Sequence, residues 1–293
     1  CWGNKDIEFY DGGYYAEMLK VVYPAIKSAN SQAQIVLGGL LLDCDPRNYG
    51  ENSPYCQTEV DTLAGMFLEG ILRNGGGNYL DVISFHGYPQ YQTGMNPIFR
   101  ELNYRNWRAA GGVVAGKIEF LRSVISAYGV NKPIFNTESG LRLPDLANST
   151  PEFEQAKADY LMWLYARNWS QGIKATNWFT FNGPGFFYSG LLDSSQNPLP
   201  AYYAFQFMAN TLNKAEYVRT FTSETDPDMI GFEFSTSTKI YWLLFSREIS
   251  LTTPNSYTLP AGVNTVYDSQ GAIVNQVDST IDINHPKYVE FLK

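Results

Sequence analysis

The chain has 293 residues, 44% of them hydrophobic and 17% charged, with a formal net charge of -8. That is enough apolar material for a sizeable core, and it argues against a disordered chain. The acidic balance and the lack of a basic run argue against a nucleic-acid partner, and no apolar run reaches the length that spans a bilayer.

Residues 1–12 read as a loop rich in Gly, Asp and aromatics. In residues 13–29, Tyr15, Met18, Leu19, Val22 and Ile26 share one stripe at helical spacing. Asn30-Ser31-Gln32 ends that helix. Residues 34–39 have the length and composition of a buried strand, and a long loop through Asp43, Asp45 and Pro46 follows. A second helix is predicted over 60–73, stopped by Asn74-Gly75-Gly76-Gly77. The next strand, 79–85, leads to His86-Gly87-Tyr88-Pro89. A loop carrying Tyr104 and Trp107 precedes a helix over 115–128. Pro133 opens a short apolar strand that stops on Glu138. A helix over 152–169, a strand over 173–181 and a helix over 201–212 complete this part.

Strand and helix alternate to about residue 213, and each strand is a nearly continuous apolar run. That pattern marks a parallel sheet covered on both faces. Polar and aromatic residues collect in the loops after strands, so function is expected at one rim. Beyond residue 214 short β-rich runs take over, at 217–222, 229–234, 239–245, 256–259 and 288–291. Ile230-Gly231-Phe232-Glu233-Phe234 alternates, and Pro, Asn-Ser and Ala-Gly turns separate the runs. This part is expected to be a small antiparallel β-sandwich with a structural role. The expected domains are therefore 1–213 and 214–293.

Four strand ends carry candidates: Gly38 and Gly39 with Asp43, His86 with Tyr88, Asn136 with Glu138, and Trp178 with Asn182. Each has a plainer reading. Glu138 can cap the next segment or pair with a cation, His86 can be a satisfied core histidine, and Trp178 can fill the core. Glycoside hydrolysis needs two carboxylates flanking the scissile bond, groups that orient them and an aromatic floor for the sugar. The strand ends offer one carboxylate, a His-Tyr pair and an indole; no second carboxylate stands out. A neutral carbohydrate suits the acidic chain and its 15% aromatic content.

Cys1, Cys44 and Cys56 are the only cysteines. One disulfide is expected, Cys44–Cys56 or Cys1–Cys44, and with it an oxidising, extracellular or cell-surface location. His86 and His285 fall in different expected domains, so no histidine-based metal site is expected, and no cofactor.

Together the segments resemble the clan A glycoside hydrolases, retaining glycosidases on (β/α)8 barrels, and most closely the family 39-like and family 5-like members. The resemblance runs through Tyr14-Tyr15-Ala16-Glu17-Met18-Leu19-Lys20, Tyr23-Pro24-Ala25-Ile26-Lys27 and Val36-Leu37-Gly38-Gly39-Leu40. It continues in Asp81-Val82-Ile83-Ser84-Phe85-His86-Gly87-Tyr88 and Asn136-Thr137-Glu138-Ser139-Gly140. Gly190-Leu191-Leu192-Asp193 and Asn197-Pro198-Leu199-Pro200-Ala201-Tyr202 complete it. The order and spacing are specific to the clan more than to a family or substrate.

The resemblance implies that Glu138, at the end of the seventh barrel strand, is the nucleophile. His86 and Tyr88 would shape the subsite around it, Trp178 would floor it, and Asn136 and Asn182 would complete the sugar contacts. It also implies an acid/base Glu in an Asn-Glu-Pro motif, and here the chain departs from the pattern. Asn4-Lys5-Asp6 is the nearest match, with Lys where Glu should stand, and Glu8 is the one nearby acid. The expected fold is thus a partial TIM barrel, about the last four βα units, followed by the β-sandwich. The upstream half of the barrel, acid/base included, is expected as a partner segment, and the chain alone is expected to be inactive or nearly so. A non-catalytic carbohydrate-binding or cell-surface protein on the same scaffold is the competing expectation.

Overall fold

In the computed structural model the described residues are 8–42, 44, 45, 47, 65–104, 107–144, 148–249, 255–276 and 279–293. They form two compact units. The first comprises Cys1–Gly87, Leu102–Ser139 and Ile173–Asn177; the second comprises Tyr88–Glu101, Gly140–Gly172 and Trp178–Lys293. No helix among the described residues is long and apolar enough to cross a membrane.

The first unit holds α1 (Gly12–Ala29), α2 (Phe67–Arg73) and β1 (Ile83–Gly87), with α4 (Val113–Ala127) and β2 (Ile134–Ser139) after α3 (Pro97–Leu102). β1, β2 and β3 (Ala175–Trp178) form a parallel sheet in that order. Residues 34–39, expected as a strand, run beside β1 with two isolated parallel bridges, Val36 to Val82 and Leu40 to Phe85, rather than as a strand of the sheet. Asp81 holds the start of this ladder. Its carboxylate accepts from the Ile35 amide at 2.9 Å and the Tyr23 hydroxyl at 3.1 Å, and lies 2.9 Å from Lys27 Nζ. Burial would raise the Asp81 pKa, but the bonds from Lys27, the Ile35 amide and Tyr23 outweigh it and hold the carboxyl below its usual value.

Leu68 and Ile71 of α2, Val82, Ile83 and Phe85 around β1, and Ile118 and Leu121 of α4 are fully buried in this unit. The outer side of α1 is different: Tyr14 is 64% and Val21 72% exposed, and Val36 on the outermost extended segment is 39% exposed.

The second unit holds α5 (Pro151–Ser170), α6 (Pro200–Thr211) and the antiparallel strands β4 (Glu216–Thr222), β5 (Met229–Ser235), β6 (Lys239–Ser246), β7 (Ser256–Thr258), β8 (Val263–Asp268), β9 (Thr280–Asp282) and β10 (Lys287–Leu292). Thr150 caps α5 by accepting from the Phe153 amide at 3.2 Å, and Pro151 opens the helix where no amide is needed. Five strands form one sheet in the order β4-β5-β6-β10-β8, and β7 and β9 form a pair. Met229, Leu244, Val266 and Val289 of the larger sheet share a buried cluster with Ile281 of the pair and with Leu259 and Ile283.

The alternation expected at 230–234 is present: Ile230, Phe232 and Phe234 share one face of β5 and are buried, while Glu233 between them is only partly covered. Helix α5 covers that face. Trp163 meets Phe232 and Phe245 with ring centroids at 5.6 and 5.2 Å, and Trp169 meets Phe234 at 5.0 Å. Trp163 is fully buried, and its indole N–H donates to Glu101 Oε2 at 3.2 Å. Removing such a ring costs about 3–5 kcal/mol. These contacts place α5 and α6 in the same unit as the antiparallel strands, although helix gives way to strand between Thr211 and Glu216.

A polar clip closes the same interface. Asp159 of α5 is 1% exposed and accepts from Gln155 Nε2 at 2.9 Å and Ser269 Oγ at 3.1 Å. His285, just before β10, sets its Nδ1 2.6 Å from Asp159 Oδ2. The hydrogen bond to Asp159 raises the His285 pKa, against the opposing effect of burial. The imidazolium is therefore favoured by folding. Its stabilisation is full below the ordinary histidine value of about 6.5 and is lost as pH rises through the raised value. The difference in unfolding midpoint between the native chain and His285→Gln is expected to be largest near pH ~5.5 and to shrink as pH climbs above ~6.5. A difference that stays constant across that range would rule out this role for the pair.

Candidate functional site

The ladder between β1 and β2 is not regular. Ile83, Ser84 and Phe85 face Ile134, Phe135 and Asn136 in step; then the register shifts, and His86 faces Glu138 while Gly87 faces Ser139. Thr137 is the extra residue. In an unbroken ladder His86 would face Thr137. A bulge of this kind re-aims side chains at the end of a sheet. Here it puts the His86 imidazole beside the Glu138 carboxylate, with Nδ1 3.4 Å from Oε2. The His86 side chain is 16% exposed and that of Glu138 34%, so the carboxylate is open to a ligand while the ring behind it is mostly covered.

Three residues set the imidazole in place. The His86 amide donates to Leu40 O at 2.9 Å, which ties β1 to the extended segment beside it. Gly39 packs against the ring: a Cβ at this position would lie 1.8 Å from His86 Nε2. Lys117 of α4, 6% exposed, donates from Nζ to His86 O at 2.8 Å and to Leu41 O at 2.5 Å. Carbonyl acceptors offset the cost of burying that ammonium.

The His86 pKa is lowered. Burial is the main cause and the Lys117 charge adds to it, while Glu138 pulls the other way. A neutral ring facing a carboxylate carries its proton on the near nitrogen, since two lone pairs would repel. A proton on Nδ1 would point at Glu138. This arrangement offers a partly exposed carboxylate, oriented by a neutral donor, at the end of a parallel strand. Such a group can attack an electrophilic carbon or accept a proton.

Asn136 stands two residues before Glu138 and is fully buried, accepting from Ser139 Oγ at 2.8 Å. His86, Asn136 and Glu138 are thereby brought together in the first unit. Tyr88, Trp178 and Asn182 belong to the second unit. Tyr88 packs edge-on against Phe186 and Phe179, with centroids at 5.3 and 6.5 Å. The Trp178 indole N–H donates to Ser189 O at 2.7 Å, so its polar end is engaged within the protein. Asn182 is exposed, and its carbonyl accepts from Thr180 Oγ1 at 2.7 Å.

Cys44 is disulfide-bonded. The expected partners Cys56 and Cys1 lie outside the described residues, as do Asp43 and the side chain of Glu8. Sequence reasoning missed Lys117. Its signal was a lysine on the apolar stripe of its helix, four residues from both Val113 and Leu121.

With only two histidines in the chain, an NMR titration resolves both. His86 is expected to titrate below the ordinary value and His285 above it. Glu138→Gln removes the one opposing influence and is expected to lower the His86 value further. A Cβ at Gly39 would overlap the mostly covered His86 ring, so Gly39→Ala is expected to lower the unfolding midpoint and to move the His86 ring resonances. Unmoved His86 resonances in Gly39→Ala would contradict the packing described.

No known family model matches the sequence. No curated protein matches it either. Solved structures do. A family 39 glycoside hydrolase from the gut symbiont Bacteroides cellulosilyticus has a TM-score of 0.67 at 19% identity, covering 95% of this chain and 55% of that one. A family 44 xyloglucanase from Paenibacillus polymyxa has a TM-score of 0.59 at 11% identity, covering 98% and 61%. A family 44 endoglucanase from Clostridium acetobutylium has a TM-score of 0.58 at 13% identity, covering 97% and 61%. The chain thus spans between 55% and 61% of the length of these three proteins. Its fold, a parallel three-stranded sheet with helices and an antiparallel sheet, is one it shares with glycoside hydrolases of clan A.

Proposed function

We propose that the chain is the C-terminal part of a retaining O-glycosyl hydrolase, with Glu138 as nucleophile and a carbohydrate as substrate. The observation that carries this reading is the bulge that seats Glu138 beside His86 at the end of a parallel strand, in a fold shared with glycoside hydrolases.

A Glu138 carboxylate oxygen bonds to the anomeric carbon as the bond from that carbon to the leaving oxygen breaks. The leaving oxygen takes a proton from an acid/base carboxyl. Water then attacks the glycosyl-enzyme, the same carboxyl takes its proton, and the sugar leaves with retained configuration. Throughout, His86 orients Glu138 through its Nδ1–H. Asn136 is proposed as a support beneath the strand, since it is fully buried. Tyr88, Trp178 and Asn182 are proposed as sugar-contacting residues on the strength of the resemblance.

The acid/base is proposed to lie in the part of the barrel that the neighbours have and this chain does not span. The exposed side of α1 and the outermost extended segment support that reading, since a preceding βα unit would cover Tyr14, Val21 and Val36. The proposed boundary near residue 213, followed by a sandwich, rests on the change from helix to strand after Thr211 alone, since α5 and α6 group with the strands that follow. The disulfide at Cys44 supports an extracellular or cell-surface location.

Trapping tests the assignment. A dinitrophenyl 2-deoxy-2-fluoroglycoside has a leaving group that departs without a proton, so it reports the nucleophile whether or not the acid is present. Peptide mapping of the full-length protein is expected to find the label on Glu138, and label on any other residue ends the assignment. On an unactivated glycoside, the 293-residue chain by itself is expected to turn over on the order of 10²–10⁴ more slowly than the complete enzyme. Carbohydrate binding without any labelling would favour the non-catalytic reading.

A further inference from the structure

The second unit contains a cavity that the catalytic proposal does not use. It has a volume of about 630 Å³, within the ~300–1,000 Å³ of small-molecule sites. Two chain segments build it. One runs into the N-terminus of α5 after β2, and the other connects β3 to α6. Both are strand-to-helix connections, the segments that carry function in parallel α/β folds.

The walls are Pro184, Tyr188, Leu192 and Leu199, and the ionisable groups are Glu154 and Asp193. The Tyr188 ring is partly free, with the residue 36% exposed. Its backbone is pinned from behind: the fully buried Lys157 donates from Nζ to Tyr188 O at 3.0 Å and to Gly190 O at 2.8 Å. Glu154 Oε2 balances that ammonium at 2.7 Å, and Glu154 Oε1 accepts from Ser149 Oγ at 2.5 Å. Glu154 is thus committed to the frame.

Asp193 is different. Its carboxylate accepts from the Ser195 and Asn197 amides at 2.8 Å and from Asn197 Nδ2 at 3.0 Å, all within its own turn. Those bonds hold its pKa low, so it stays an anion at the cavity edge. Among the described residues no Lys or Arg lines the cavity. An apolar wall with a ring face and a lone anionic acceptor suits a ligand with an apolar face and hydroxyl donors, and it repels carboxylates.

We propose that this cavity binds one uncharged pyranose unit of a glycan, its C–H face on Tyr188 and Leu192 and a hydroxyl donating to Asp193. The proposal rests on the glycoside-hydrolase reading for its choice of ligand, but not on Glu138. Tyr188 supplies the platform, Lys157 keeps that platform still, and Asp193 selects neutral sugars over uronic acids.

The test is calorimetric titration of the 293-residue Glu138→Gln chain with cello-, xylo-, manno- and galacto-hexaoses and with hexagalacturonate. At least one neutral hexamer is expected to bind, and hexagalacturonate is expected not to. Tyr188→Ala is expected to weaken binding about tenfold. Ser194→Trp, which fills the cavity from its exposed edge, is expected to weaken it at least as much. The proposal is overturned if no neutral hexamer binds, if both variants bind like the parent, or if hexagalacturonate binds as tightly. It falls equally if only an apolar dye such as Nile red occupies the cavity. Fluorosugar labelling of Glu138 is read separately. Label on Glu138 with unaltered binding in both variants removes this cavity alone, and variant-sensitive binding without label removes the nucleophile alone.

Discussion

One extra residue in β2 decides the chemistry of the first unit. Without Thr137 as an unmatched position, Glu138 would face Gly87, and His86 would have no acid beside it. The shift is held by its surroundings. Leu40 O anchors the His86 amide, Lys117 anchors its carbonyl, and Gly39 leaves room for its ring. Each contact comes from the extended segment next to β1 or from α4. Ladder hydrogen bonds alone would favour an even register; these lateral contacts favour the shifted one.

The second unit is organised by α5. Its aromatic side chains, Trp163 and Trp169, bury one face of the antiparallel sheet, and the apolar cluster around Leu244 and Ile281 fills the other. Lys157, Lys287 and Asp159, all buried, each have a partner in this unit. Lys157 holds the Tyr188 loop, Lys287 donates to His285 O at 2.7 Å, and Asp159 holds His285. The two histidines of the chain therefore respond in opposite ways. His285 gains an acid at hydrogen-bonding distance, which outweighs burial, whereas His86 sits near both an acid and an ammonium and burial prevails.

Local pattern was enough to read the order of strands and helices up to about residue 213 and the β-rich texture beyond it, because buried parallel strands and stop signals such as Asn74-Gly75-Gly76-Gly77 are local features. Glu138 and His86 were legible for the same reason, since each ends a short apolar run. What brings them together was not. A register shift is a property of two strands at once, and no single segment records it. The same holds for Asp159 and His285, which are 126 positions apart. Residues 34–39 looked like a strand because their composition is that of one, but pairing on one side through two bridges leaves them short of it. The alternation in β5 marks the face that α5 covers, but the burial of Met229 on the other face depends on strands distant in sequence, which no local pattern records.

The charge state of His86 matters to the use that Glu138 is put to. An imidazolium at 3.4 Å would bind the carboxylate as an ion pair and compete with an incoming carbon for its electrons. A neutral ring beside the carboxylate holds it less tightly than an imidazolium would. Burial secures that neutrality, and Lys117 reinforces it from the far side of the His86 peptide. The ammonium donates to the Leu41 and His86 carbonyls, and its charge acts on the imidazole. In the mechanism proposed for Glu138, a longer-range charge in place of a contacting one leaves the carboxylate available for attack. The bulge sets the distance, and burial, with the Lys117 charge adding to it, favours the neutral ring at that distance.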